Sequence, residues 1–96
     1  MKLTFRIEYR TEWGEQICVL FNEMDKVALE LSTIDGYHWE GYAEVHPMPQ
    51  SYRYAVVRDG KTVRKESGRI PHVLPQGIGE KELQICDSWR DQPLAS

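Results

Sequence analysis

Hydrophobic and polar residues alternate from the start of the chain: Leu3, Phe5, Ile7 and Tyr9 are separated by Thr4, Arg6 and Glu8. A period of two marks a strand with one buried face. The segment Tyr9-Arg10-Thr11-Glu12-Trp13-Gly14-Glu15 interrupts that alternation as a turn, with a glycine able to take a positive φ. The run that follows, Gln16 to Phe21, is almost continuously apolar, as in a strand covered on both faces. Trp13 is therefore expected on a turn, where it either folds back as a lid on the core or offers its flat face to a ligand.

Further along, Val27 to Leu31 predicts a third strand, although Ala-Leu-Glu-Leu also suits a helical turn. Thr33-Ile34-Asp35-Gly36 reads as a turn. His38 to Val45 alternates again and puts Trp39, Gly41, Ala43 and Val45 on one face. The prolines at 47 and 49 exclude a central strand there. Tyr52 to Arg58 and Lys61 to Glu66 flank Asp59-Gly60, the two-residue loop of a type I′ hairpin. Ser67 to His72 reads as an irregular edge segment and Leu74 to Gly79 as loop. Leu83 to Trp89 is the last strand, with Leu83, Ile85, Asp87 and Trp89 sharing a side. Seven to eight short strands with regular turn signals and no long amphipathic helix predict an all-β, antiparallel sandwich. The module spans 1–89, and 90–96 reads as a linker towards a further domain.

Composition narrows the classes. A chain of 96 residues supports a single core, and 28% charged against 41% apolar residues excludes a disordered tail. Net charge is −3 without a basic cluster, so a nucleic-acid partner is not expected. No apolar run approaches the roughly 20 residues of a membrane span, and Met1-Lys2-Leu3 leads straight into alternation. The expectation is a cytoplasmic chain with no membrane partner. In that compartment Cys18 and Cys86, both within predicted strands, read as two buried free thiols rather than a disulfide.

Candidate chemistry is thin on the catalytic side. His38, His46 and His72 lack ligand spacing, no CxxC pair exists, and no cofactor or metal is expected. Glu12, Glu15, Glu40 and Glu44 read as solvated surface rather than a catalytic pair. The aromatics say more. Phe5 and Trp89 fit core positions, Trp39 faces either core or rim, and Trp13 and Tyr37 fall in turns. A flat ring in a turn suits the C–H face of a sugar, with carboxylates and guanidinium groups for the hydroxyls, and composition alone does not separate sugar from peptide.

The order of motifs carries a resemblance. A strand, then Thr11-Glu12-Trp13-Gly14-Glu15 and an apolar strand, the Trp39 strand, Tyr52-Arg53-Tyr54, Glu66, and a closing Asp87-Ser88-Trp89-Arg90 together resemble a family 20 carbohydrate-binding module. That is the starch-binding domain appended to amylolytic enzymes, and the resemblance covers nearly the whole chain. It implies an immunoglobulin-like sandwich and commonly two α-glucan sites. One site is built around the aromatic of the Thr-x-aromatic-Gly-Glu turn, here Trp13, with Tyr37 and Trp39 in support, and on the reading of this chain Glu12 or Glu15 would accept hydroxyls beside them.

The family's other site departs from its pattern here. The Leu-Gly-Asn-Trp stretch is missing between Phe21 and Val27, Lys65-Glu66 replaces a Trp-Glu pair, and Arg53 replaces a lysine. Arg53 keeps hydrogen-bonding capacity without an aromatic platform. The resemblance further implies the modules at the N-terminus of cytosolic 4-α-glucanotransferases of the amylomaltase type, whose family 77 catalytic barrel lies downstream. The fragment itself is then no enzyme. Its partners are starch, glycogen or maltooligosaccharides and the downstream domains of its own polypeptide. The competing expectation is a degenerate module that packs against a neighbouring domain and binds no glucan.

Overall fold

The predicted alternation becomes a set of short strands in the computed structural model, which describes residues 2–22, 27–45, 48–66, 72–74 and 82–89. Among the described residues there are nine: β1 (Lys2–Glu8), β2 (Glu15–Phe21), β3 (Val27–Glu30), β4 (Ser32–Thr33), β5 (His38–Glu44), β6 (Ser51–Arg58), β7 (Lys61–Lys65), β8 (His72–Val73) and β9 (Glu82–Ser88). One sheet has the order β4-β5-β1-β9. The other has β3-β2-β6-β7, with β8 also pairing with β6. The fold is an all-β sandwich, as the pattern predicts. The linker expected at 90–96 and the loop expected at 75–79 lie outside the described residues.

Two features differ from expectation. The β1–β9 pair is parallel, whereas β1–β5 and the pairings of the second sheet are antiparallel. The alternation of β9 defines its buried face equally well in either direction, so side-chain pattern carries no signal for strand polarity. The two-residue strands β4 and β8 fall where turn and irregular edge are expected, because so short a pairing leaves no periodicity to read.

The inner faces follow the alternation. Leu3, Phe5 and Ile7 of β1 face Ile17 and Val19 of β2 and Tyr52, Tyr54 and Val56 of β6 in one buried cluster. Phe5 lies opposite Gly41, where an added Cβ would come within 2.8 Å of Leu31 Cδ2. The missing side chain is thus the space that Leu31 fills. Ile17 to Leu20 are all buried, which accounts for the unbroken apolar run. Asp59 and Gly60 both have positive φ, as a type I′ hairpin requires.

The cysteines separate. Cys18 is buried, and burial pushes its thiol up to about 11. Cys86 is exposed, contrary to expectation, because β9 turns alternate residues to solvent and Cys86 falls on the outward set. Both thiols are free.

A polar junction ties the sheets together. Asp87 points inward from β9 and accepts hydrogen bonds on Oδ2 from Tyr52 (2.6 Å) and Tyr54 (2.8 Å) of the opposite sheet. Burial above all, and then the Asp87 charge, hold the Tyr54 phenol far above its usual range, so it remains a donor. His72 stacks on Tyr52 and pairs through Nε2 with the Glu66 carboxylate at 2.9 Å, and Glu66 in turn accepts from the Tyr54 backbone N–H. Glu66 is 3% exposed and Tyr54 fully buried. Removing an acceptor here strands buried donors, which costs more than the bond itself contributes. Asp87→Ala is expected to lower the unfolding free energy by about 2–4 kcal/mol, read from urea midpoints, with Asp87→Asn costing less. A loss below about 0.5 kcal/mol for Asp87→Ala would show that water replaces the carboxylate without penalty.

Candidate functional site

The turn before β2 is built to present Trp13. Glu15 N–H donates to the Glu12 carbonyl at 3.0 Å, closing a β-turn with Trp13 and Gly14 at its corners. Gly14 has φ of +88°, the conformation a type II turn needs at its third residue. Glu15 reaches back, and its Oε1 accepts from Glu12 N–H at 2.8 Å. Arg64 Nη2 contacts both Glu15 oxygens at 2.9–3.0 Å, and the Glu15 side chain is only 4% exposed. Beneath the turn, Arg58 Nη2 donates to the Trp13 carbonyl at 3.1 Å and lies 3.7 Å from Glu12 Oε2. With its backbone held on these sides, the Trp13 residue is 99% exposed.

A second turn stands beside it. Thr11 donates from both N and Oγ1 to the Gly36 carbonyl, each at 2.9 Å, and Tyr9 N–H donates to the Tyr37 carbonyl. Asp35 organises this turn. Its Oδ1 accepts from the backbone N–H of Tyr37 (2.9 Å) and His38 (2.8 Å), and its Oδ2 lies 2.7 Å from His38 Nδ1. The His38 backbone N–H first, then its ring and the Tyr37 N–H, hold the Asp35 carboxyl well below the usual carboxylate range. The Asp35 hydrogen bond, helped by the Asp35 and Glu8 charges, raises His38 above its ordinary value.

Tyr37 is half-buried. Its hydroxyl donates to Glu8 Oε2 at 3.3 Å, and the Arg10 guanidinium lies 5.5 Å from its ring centre. Tyr9 stacks on Trp89 with centroids 4.3 Å apart, and Arg64 lies 5.7 Å from the Tyr9 ring. One end of the sandwich therefore gathers four aromatic residues and several charged groups.

The structure brings some of the expected residues together. Trp13, Glu12 and Glu15 share one turn, and Tyr37 sits on a second turn hydrogen-bonded to Tyr9 and Thr11, just before the first. Trp39 is different: it is 4% exposed, belongs to the core cluster, and its ring is not available to stack on a ligand. The register that puts Trp39 opposite Ile7 decides the even choice between core and rim. Glu15 is likewise committed to the turn and to Arg64 rather than to a ligand hydroxyl, whereas Glu12 is 84% exposed in its side chain. Arg53 lies opposite Leu20, towards the far end of β6, where Nη1 donates to the Glu66 carbonyl at 2.7 Å.

Sequence reasoning misses Arg58, Arg64, Arg10 and the Asp35–His38 pair. Arg58 and Arg64 reach the site across strands, so no local spacing announces them, while Arg10 precedes the turn and approaches the Tyr37 ring. The Asp-Gly of the second turn does carry a signal, since Asx side chains cap turns of this kind. Among the described residues no group of three His, Cys, Asp or Glu side chains could hold a metal, and no helix is long and apolar enough to cross a membrane. No protein-family model and no curated protein matches the chain.

The His38 shift has a sign that can be checked. A raised value favours the charged ring, so its contribution to the second turn is fully present below about pH 6.5 and is lost as pH rises through the folded-state value. Asp35, held low, keeps its contribution above the ordinary carboxylate range and loses it only as pH falls through its depressed value. An NMR titration of the His38 Cε1 proton is expected to give a midpoint above about 6.5, and Asp35→Asn to move it down more than Glu8→Gln does. A parental midpoint at or below the ordinary value would contradict the bridged geometry.

Proposed function

We propose that this chain is a non-catalytic α-glucan-binding module that stacks glucose units of starch, glycogen or maltooligosaccharides on Trp13. The observation that carries this reading is a fully exposed indole on a backbone fixed by Glu15, Arg58 and Gly14. An aromatic side chain of this size normally gains by burial, and a turn held in advance spares a ligand the cost of ordering it. Tyr37 lies on the adjoining turn, and the Glu12 carboxylate is at hand for sugar hydroxyls. Arg10 and Arg58 add donors. A pyranose has an apolar C–H face rimmed by hydroxyls, which this mixture of ring, carboxylate and guanidinium matches.

The resemblance to starch-binding domains supports the same ligand, and it extends the reading to a cytoplasmic module serving a 4-α-glucanotransferase whose catalytic carboxylates lie in another domain. A second reading is favoured by Ile34, which is also fully exposed, on the turn that adjoins that of Trp13. Two large apolar side chains at one end would suit packing against a neighbouring domain.

Calorimetric titration with maltoheptaose and retardation in glycogen-containing gels separate the two. The parent is expected to bind, and Trp13→Ala to lose binding while its melting temperature stays within a few degrees, because the indole buries almost nothing. Undiminished binding by the variant would remove Trp13 from the site. A parent that binds no glucan would leave the packing reading in its place.

A further inference from the structure

The outward face of the β1 sheet is arranged in rows by its two registers. His38, Glu8 and Ser88 form one row, Glu40, Arg6 and Cys86 the next, and Tyr42, Thr4 and Gln84 a third. A groove of about 1130 Å³ lies over the first two rows, is flanked by Ile34, and reaches Tyr42. Its near end is the Tyr37 turn: Asp35 and His38 line it, and Glu8 both lines it and accepts the Tyr37 hydroxyl. At the far end Tyr42 is 62% exposed, with the Lys2 ammonium 4.5 Å from its ring centre. Tyr42 lies four residues beyond His38, the first residue of β5, on the same face and roughly 13 Å away at the rise of an extended strand.

The floor between them carries charges that are already paired. Arg6 pairs with Glu40 at 3.4 Å, and His38 bridges Glu8 at 3.6 Å and Asp35 at 2.7 Å. Each of these side chains remains at least half exposed. A charged peptide would have to compete with those ion pairs. A polyhydroxyl chain instead donates to a paired carboxylate and accepts from a paired guanidinium, because each group has more hydrogen-bonding positions than one partner fills.

We propose that this groove extends the binding end: an α-glucan held at Trp13 and Tyr37 continues across the outer face of β1 and β5 and stacks a more distant glucose on Tyr42. The inference rests on the α-glucan reading above and makes the site one that favours long chains.

Affinities for maltotriose and maltoheptaose, measured on the parent and on Tyr42→Ala, Tyr42→Phe and Trp13→Ala, test it. The parent is expected to bind maltoheptaose more tightly than maltotriose. Tyr42→Ala should weaken maltoheptaose about five- to tenfold, the scale of one lost aromatic contact, while maltotriose is unchanged and Tyr42→Phe behaves as the parent. Trp13→Ala should weaken both ligands. If Tyr42→Ala leaves maltoheptaose unaffected, the groove is not part of the site, and if it weakens both ligands equally, Tyr42 is no distant subsite; either result overturns the inference while the Trp13 reading stands. If the parent binds neither ligand, the α-glucan reading itself fails. Thermal melts exclude misfolding, since Tyr42 is mostly in solvent.

Discussion

The structure depends on β1 having a full-length neighbour on each edge. Its seven residues pair in unbroken register with β5 on one side and with β9 on the other. Because side chains alternate with a strict period of two, these registers decide every inward and outward position in the sheet at once. They put Phe5 opposite Gly41, so that Leu31 fits in the space, and Ile7 opposite both Trp39 and Asp87. They also bring His38 and Ser88 beside Glu8, so the Tyr37 turn and the end of β9 converge where β1 stops. A slip of one residue would expose Trp39 and turn the Glu40 carboxylate towards the core, at the cost of desolvating its charge.

That convergence explains how so small a module can hold two turns rigid at one end. Their most apolar side chains, Trp13 and Ile34, are fully exposed and contribute little burial. The turns are fixed by backbone hydrogen bonds, by the Asp35 and Glu15 carboxylates that accept neighbouring N–H groups, and by two arginines contributed by the β6–β7 hairpin. Charge-assisted hydrogen bonds are the stronger class, and here they substitute for burial. Trp13 is thus fully exposed on a backbone that these hydrogen bonds hold.

Much of the sandwich was legible in the chain because its strands obey a simple alternation. Leu3, Phe5, Ile7 and the inward side of β9 follow directly from it, and Asp59-Gly60 names its own turn. The end-on site was half legible. Trp13 and Tyr37 stand out because turns rarely hold large aromatics, but Trp39 lies on a strand whose first residues could face either way. Glu15 shows the sharper limit. Its position beside an exposed tryptophan suggests a ligand acceptor, and only the approach of Arg64, 49 residues away, reveals that its carboxylate belongs to the turn. Long-range partners of this sort leave no local trace, and the parallel direction of β9 leaves none either.

The distribution of carboxylates bears on what kind of chemistry the molecule can support. Asp87 receives two phenols, Glu66 a histidine and a backbone N–H, Asp35 two backbone N–H groups and an imidazole, and Glu15 a backbone N–H and a guanidinium. A general acid or base must be able to exchange a proton with a substrate, and a carboxylate whose acceptor positions are taken by fixed donors is poorly placed to do so. Glu12 and Glu40 remain turned outward and more than half in solvent, suited to accept hydroxyls from a ligand that lies over them. The acids bonded to fixed donors serve cohesion between sheets and turns, and the others leave the surface polar around its few exposed rings. That division leaves flat apolar plates with acceptors between them that need not change charge, which is the arrangement the proposed glucan reading draws on.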